Sequence, residues 1–153
     1  MDKHALRKEL AEKLEAELAA MEAAQRATVE GATHEQAKPE NDKDTRALEQ
    51  SYLARGQAQR VDELRTAVGE TKAMTLRACE SVGVSALVTI EDEKGEQHLF
   101  ITLHGGGTVL GSGGRRCVKV VTNKSPLGQA LLGKSAGDEI DFRGRTLTIA
   151  GVE

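Results

Sequence analysis

Residues 125–142 read SPLGQALLGKSAGDEIDF. Inside this stretch, Gly128 to Ser135 (GQALLGKS) has the G-x-x-x-x-G-K-[ST] spacing of a phosphate-binding loop. Such a loop leaves a buried strand directly, bares its backbone N–H groups to the phosphates and opens a long helix, with the Lys on the outer phosphate and the hydroxyl on Mg²⁺. The surroundings argue against that use. Thr122 to Leu127 separate the first Gly from the apolar run Val118–Val121, and Leu131 and Leu132 fill positions that should expose bare backbone. Gly137 follows Ser135 after a single residue, and residues 136–153 are too few for the parallel sheet and metal-binding acid of a nucleotide hydrolase. The stretch reads instead as a short capped helix over Pro126–Leu132. Ser125 is the N-cap, Pro126 takes the first helical position and Gly133 the left-handed stop. Leu127, Leu131 and Leu132 then face a core, and no residue is assigned to nucleotide binding.

On both sides of this helix the pattern is β. Ser85–Glu91 and His98–Leu103 alternate as strands around a turn at Asp92–Gly95, with Gly95 in the left-handed position. Cys117–Val121 is a third strand, and Glu139–Phe142 and Thr146–Val152 pair across Arg143-Gly144-Arg145. Gly105–Gly107 and Gly111–Gly114 read as loops. His104-Gly105-Gly106-Gly107 has the letters of an esterase oxyanion loop, but no G-x-S-x-G nucleophile elbow accompanies it.

Before residue 77 the composition changes to Ala, Leu, Glu, Gln, Lys and Arg. Leu6, Leu10, Leu14, Leu18 and Met21 recur at spacings of four and three, predicting a helix from Asp2 to about Glu30. Gly31–Asn41 (GATHEQAKPEN) breaks it. A second helix starts near Asp42 or Asp44 and runs to about Met74, with Leu48, Tyr52, Val61, Leu64 and Val68 as its apolar positions. Two long helices joined by a short link favour an antiparallel hairpin, each helix on the order of 40 Å long. The fold class is α+β. Residues 1–76 form a two-helix coiled-coil hairpin with its tip near 31–44, and residues 77–153 form a small β domain with one short helix.

Composition excludes several functions. Formal net charge is −3 over 153 residues, against a free nucleic-acid binder held by phosphate contacts. The acidic excess lies in residues 1–76, with 12 Lys/Arg against 15 Asp/Glu; residues 77–153 hold nine of each. Cys79 and Cys117 have no metal-ligand spacing and suggest reduced thiols of a cytosolic protein. The four histidines, His4, His34, His98 and His104, have none either. No run approaches the length of a membrane span.

The stretch Ser125–Phe142 resembles the Ser-Pro, Ala-Leu-Leu-Gly-Lys and Gly-Asp signature of the Gre family, the bacterial transcript-cleavage factors GreA and GreB. RVDEL, Arg60–Leu64, is similar to a segment of that family's second long helix, and ALEQSYLARGQAQ before it agrees in length and composition. The order of parts agrees as well: helical hairpin, then small β domain. The resemblance implies an FKBP-like second half. Phe100 and Phe142 are its only aromatics, which excludes a prolyl isomerase pocket.

The resemblance also implies a mechanism. The second domain binds RNA polymerase at the mouth of its secondary channel, and the hairpin enters so that its acidic tip reaches the active site. Tip carboxylates there help hold the second Mg²⁺ and activate a water that cuts backtracked RNA, in keeping with the oxygen preference of Mg²⁺ and two-metal chemistry. A protein of this kind is not itself an enzyme. It holds no tightly bound cofactor, meets Mg²⁺ only within the polymerase, contacts nascent RNA indirectly, and is a cytoplasmic monomer without membrane attachment. The family carries Asp, then Glu three positions on, then Asn at the tip. Counting back from RVDEL, this chain has Glu40, Lys43 and Asp44 there, with Asp42 between. Lys43 repels a cation, so Glu40, Asp42 and Asp44 are the metal-facing candidates; capping of the second helix is the other role open to Asp42 and Asp44. Around the Ser-Pro turn, Thr122, Lys124 and Pro126 are the implied polymerase contacts, with Lys124 where the family often has Asp or Asn.

Overall fold

The computed structural model describes residues 1–36, 44–111 and 116–153, with side chains described for 1–31, 48–111 and 116–153. Two long helices, α1 (Lys3–Gln36) and α2 (Asp44–Ala73), precede the strands β1 (Leu87–Asp92), β2 (Gly95–Thr102), β3 (Val109–Leu110) and β4 (Val118–Thr122). The short helix α3 (Pro126–Leu131) follows, then β5 (Glu139–Phe142) and β6 (Arg145–Val152). The strands form one six-stranded sheet in the order β3-β4-β2-β1-β6-β5. All neighbours are antiparallel except β2 and β4, which run parallel with Phe100 opposite Val120. A shift of register between Thr89 and Ile90 marks a bulge where β1 meets β6.

Alternation along the strands sends side chains to two faces. Val88, Ile90, Leu99, Ile101, Val121, Leu147 and Ile149 form one core with Leu131 of α3. Phe100, Leu110, Val118 and Val120 point the other way and are fully buried too. Burial on both faces explains the short unbroken apolar runs Ala86–Val88, Leu99–Ile101 and Val120–Val121.

The chain divides into two compact units, residues 1–12 with 69–153, and residues 13–68. The first unit therefore takes in the start of α1 and the end of α2 as well as the sheet, so the compact division differs from the compositional one at residue 77. Within this unit Lys3 Nζ donates to the Arg77 carbonyl at 2.6 Å, and Arg7 donates to the Met74 carbonyl at 2.9 Å. The Glu9 carboxylate accepts from the Gly111 N–H at 3.0 and 3.2 Å. Leu10 fills the space where Gly105 lacks a side chain; a Cβ there would lie 2.7 Å from Leu10 Cδ1.

The second unit is the helical pair. Leu14, Val61, Leu64 and Val68 are buried, and Leu18 and Met21 are half-buried. Taking Val61 and Leu64 as the seam, Arg60 and Arg65 flank it on opposite sides, as Glu17 and Glu22 flank Leu18 and Met21. Arg60 meets Glu17 at 2.6 Å and Arg65 meets Glu22 at 3.0 Å. Like flank pairs with like flank, the pattern of antiparallel helices whose edge charges set orientation. The hydrogen bond that Arg60 donates to the Glu17 carboxylate raises the guanidinium above its ordinary pKa.

The leucines of α1 do not all serve this seam. A repeat of four residues drifts about 40° around the helix at each step. Leu6 and Leu10 are therefore buried within the first unit, while Leu14 is buried in the second.

The structure corrects several expectations. Helix α1 runs through Gly31 to Gln36. A glycine costs a helix only about 1 kcal/mol relative to Ala, too little to end one built of good helix formers. Leu48 and Tyr52 are exposed by 55% and 63%; Gln50, Ala54, Gln57 and Ala58 are the half-buried positions of that part of α2. Ser85 does not open a strand. It is buried with a φ of 75° and gives its N–H to the Ile101 carbonyl, so β1 begins at Leu87. Leu103 and Cys117 lie outside β2 and β4, Leu132 is 39% exposed rather than core, and the two-residue strand β3 was not foreseen.

Two measurements test this description. Arg143 and Gly144, between β5 and β6, both have positive φ, 51° and 75°, the geometry that favours Asn-Gly in a two-residue hairpin loop. Arg143→Asn should stabilise the protein by about 0.5 kcal/mol in urea unfolding. A lower midpoint would mean that the guanidinium over the Phe142 ring, 5.3 Å from its centroid, outweighs the backbone gain. In the helical pair, Arg60→Glu should lower the helical melting transition by about 0.5–1 kcal/mol, and adding Glu17→Arg should restore it. Equal losses that simply add would exclude a direct pair.

Candidate functional site

The three candidate contact residues Thr122, Lys124 and Pro126 come together in one turn, where β4 ends and α3 begins. The parallel ladder of β2 and β4 ends on Asn123, whose N–H donates to the Thr102 carbonyl at 3.0 Å. Thr102 is itself buried and donates its hydroxyl to the His104 carbonyl at 2.6 Å. The chain then reverses over three residues. The Thr122 carbonyl accepts from the Ser125 N–H at 3.0 Å and from its hydroxyl at 2.7 Å. The same hydroxyl oxygen accepts from the Gly128 N–H at 3.1 Å, so Ser125 caps the helix as the sequence predicts.

Gly128 makes this closure possible. It is buried on α3, and a Cβ placed there would lie 2.0 Å from the Thr122 carbonyl oxygen and 3.1 Å from Ser125 Oγ. Its φ is not among the positive ones, so the requirement is for space and not for conformational freedom. From the other side Gly106 comes within van der Waals reach of the Thr122 methyl, 3.1 Å for an added Cβ. Thr122 is thus clamped and half-buried, while Lys124 and Pro126 are exposed on the outside of the turn. Sequence reading gives the turn but not the role of Gly128, because a glycine inside a short helix carries no mark of what packs against it.

The remainder of the GQALLGKS segment spends its amides internally. The Gly133 N–H donates to the Val82 carbonyl at 2.8 Å and the Lys134 N–H to the Leu131 carbonyl at 3.1 Å. The Ser135 N–H donates to the Asp138 carboxylate at 2.8 Å. Gly133 has a φ of 75°, the left-handed helix stop. The amides that would cradle a phosphate are turned to the protein's own acceptors.

Glu40 and Asp42, expected at the hairpin tip, lie outside the described residues. Asp44 is the first residue of α2, and its side chain lies outside them as well. Among the described residues no group of three or more His, Cys, Asp or Glu is placed to hold a metal ion, and no helix is long and apolar enough to cross a membrane. Gln57 Oε1 and Asn123 Oδ1 are buried without a hydrogen-bond partner among the described residues.

Residues 77–153 match the profile of the family described as transcription elongation factor, GreA/GreB, C-terminal. Solved structures similar to the chain include GreA factor homolog 1 (Gfh1) of Thermus thermophilus, 16% identical over 94% of each chain with a TM-score of 0.39. Gfh1 of Thermus aquaticus is 18% identical over 93% of this chain and 92% of its own, with a TM-score of 0.38. No curated protein matches.

Gly128→Ala should destabilise the protein by about 2 kcal/mol, because the steric conflict with the Thr122 carbonyl exceeds the gain of about 1 kcal/mol in helix propensity. Ser125→Ala should cost about 1 kcal/mol through the lost cap. Denaturant unfolding reads both, and a neutral or stabilising Gly128→Ala would refute the close approach.

Proposed function

We propose, since this chain belongs to the GreA/GreB family of transcription elongation factors, that it binds RNA polymerase at the secondary channel and modulates elongation from within it. The family match over residues 77–153, with two paired helices of 34 and 30 residues ahead of it, is the observation that carries this reading. Helices of these lengths are about 50 and 45 Å long. In this reading the turn at Thr122, Lys124 and Pro126 belongs to the docking surface. The residues joining α1 to α2 enter the channel and bring Glu40, Asp42 and Asp44 towards the polymerase active site.

The Mg²⁺ in question is the polymerase's own, and it supplies charge stabilisation at the attacking and leaving oxygens. What this chain adds is carboxylate oxygen, the ligand type a hard cation takes. Lys43 lies among those acids and opposes a cation, so channel occupancy that alters elongation is the principal activity. A second reading, stimulation of cleavage of backtracked RNA, is favoured by the three acids within five positions, Glu40, Asp42 and Asp44.

The test uses the full chain with core RNA polymerase and stalled, backtracked complexes. Binding to core polymerase, with a change in elongation and cleavage near the intrinsic rate, is the expected result. Lys43→Glu should then raise cleavage about tenfold, equivalent to 1.4 kcal/mol. Strong cleavage by the unaltered chain, lost in Glu40→Ala, Asp42→Ala or Asp44→Ala, would establish the second reading. Absence of any association with polymerase would refute both.

A further inference from the structure

The outside of the helical pair carries what part of its inside lacks. Among the described residues, the four most exposed large hydrophobic side chains are Val29 of α1 and Leu48, Tyr52 and Leu53 of α2, at 52% to 63%; the next, Met1 and Val109, stand at 44%. Within residues 23–31 and 48–58 the half-buried positions are Gln25 and Thr28 on α1 and Gln50, Ala54, Gln57 and Ala58 on α2. Thr28 returns its hydroxyl to the Ala24 carbonyl of its own helix at 3.0 Å, and Gln57 Oε1 has no hydrogen-bond partner among the described residues. Large apolar side chains out and polar or small ones in is the reverse of the pattern that stabilises a helical pair on its own. Single exposed leucines are ordinary on a monomer, whereas a group of them marks an interaction site.

Their placement around the pair identifies the kind of partner. Val29 lies seven residues beyond Glu22, on the flank of the Glu22–Arg65 bridge. Leu53 lies seven residues before Arg60, on the opposite flank, that of the Arg60–Glu17 bridge. A step of seven residues returns a helix to nearly the same face. Leu48 and Tyr52, four residues apart, form a row on the back of α2, about 200° from Gln50. The apolar side chains thus face three sides of the pair. A flat surface, or a second copy packed alongside, would cover one of them; a channel that encloses the pair covers all three. They also stand close to the link between the helices. Val29 is about 10 Å from the end of α1 at Gln36, and Leu48 to Leu53 lie about 6–14 Å from the start of α2 at Asp44.

We infer that Val29, Leu48, Tyr52 and Leu53 form an apolar collar that seats the helical pair against the inner wall of an enclosing protein channel. The inference rests on the proposed reading and adds the contact that holds the pair at depth. With Asp44 at the polymerase active site, the collar lies inside the channel, against aliphatic or aromatic side chains of its wall. Protein is chosen over nascent RNA because three of the four residues are aliphatic and offer neither the stacking surface nor the charge that holds nucleic acid.

The experiment exchanges these side chains singly for glutamine, a polar residue of good helix propensity. All four are exposed, so each variant should keep the thermal unfolding midpoint of the unaltered chain. Val29→Gln, Leu48→Gln, Tyr52→Gln and Leu53→Gln should each weaken binding to core RNA polymerase about three- to tenfold, a loss that added salt leaves unchanged. Tyr52→Leu, which keeps the apolar surface, should bind within about twofold of the unaltered chain.

Unaltered binding by all four glutamine variants would overturn the collar and leave the functional reading standing. Losses confined to Leu48 and Tyr52 would mean a partner on one side and overturn the enclosure. A defect of Tyr52→Leu as large as that of Tyr52→Gln would mean that the ring stacks on RNA, and would overturn the choice of protein. Self-association of the free chain in sedimentation, abolished by the glutamine variants, would make the occupant a second copy and overturn the inference. Failure of the unaltered chain to bind polymerase would overturn the reading and the collar together.

Discussion

The contact between the Thr122 carbonyl and the bare backbone of Gly128 is the constraint on which the second half of the chain depends. A strand that ends in an extended conformation has to turn into a helix without leaving its last carbonyl unpaired, since an unpaired buried acceptor costs about 1–3 kcal/mol. Here that carbonyl takes both donors of Ser125, and the Ser125 hydroxyl in turn satisfies the Gly128 amide in the first turn of α3. The arrangement closes only if nothing occupies the Cβ position of residue 128. Once closed, it sets the start of α3, drops Leu131 into the core and leaves Lys124 and Pro126 on the outside.

The paired helices obey a different logic. Their buried seam is short and aliphatic around Leu14, Val61, Leu64 and Val68. Closer to the join between them, the half-buried positions described on α2 are Gln50, Ala54, Gln57 and Ala58, and Gln57 Oε1 has no hydrogen-bond partner among the described residues. Among the described residues, aliphatic burial in the pair is concentrated around Leu14, Val61, Leu64 and Val68. The exposed Arg–Glu bridges contribute at most about 1 kcal/mol each, and their value lies in specifying which flank meets which.

Much of this was legible in the residues because local chemistry decided it. Ser-Pro before an apolar triad, with a Gly at its end, determines the caps of α3 whatever surrounds it, and β5 has the bounds that alternation gives, Glu139–Phe142. The places where the sequence misleads are those where a local signal is weak or where a distant part of the chain decides. Gly31 looks like a break but lies within α1. Leu48 and Tyr52 look like seam residues, yet two positions along a helix, about 200° of rotation, places them opposite Gln50. Strand β3 has two residues and exists only because β4 offers it a ladder. At the candidate site, Thr122, Lys124 and Pro126 were readable from the Ser-Pro motif, but the role of Gly128 was not. Nothing in a sequence says that a helical glycine faces a carbonyl contributed by a residue six positions earlier.

The discontinuity of the first compact unit has an architectural consequence. Residues 1–12 and 69–153 pack together although 56 residues intervene, so in chain order the helical pair is an insertion within a unit whose contacts are already complete on either side of it. An insertion made of two paired helices can be lengthened or trimmed by whole heptads in both, because a seven-residue step keeps each seam position on the same helix face. Reach and anchorage can thus evolve as separate variables. A host of this kind is a natural recipient for grafted hairpins of other lengths and other tips.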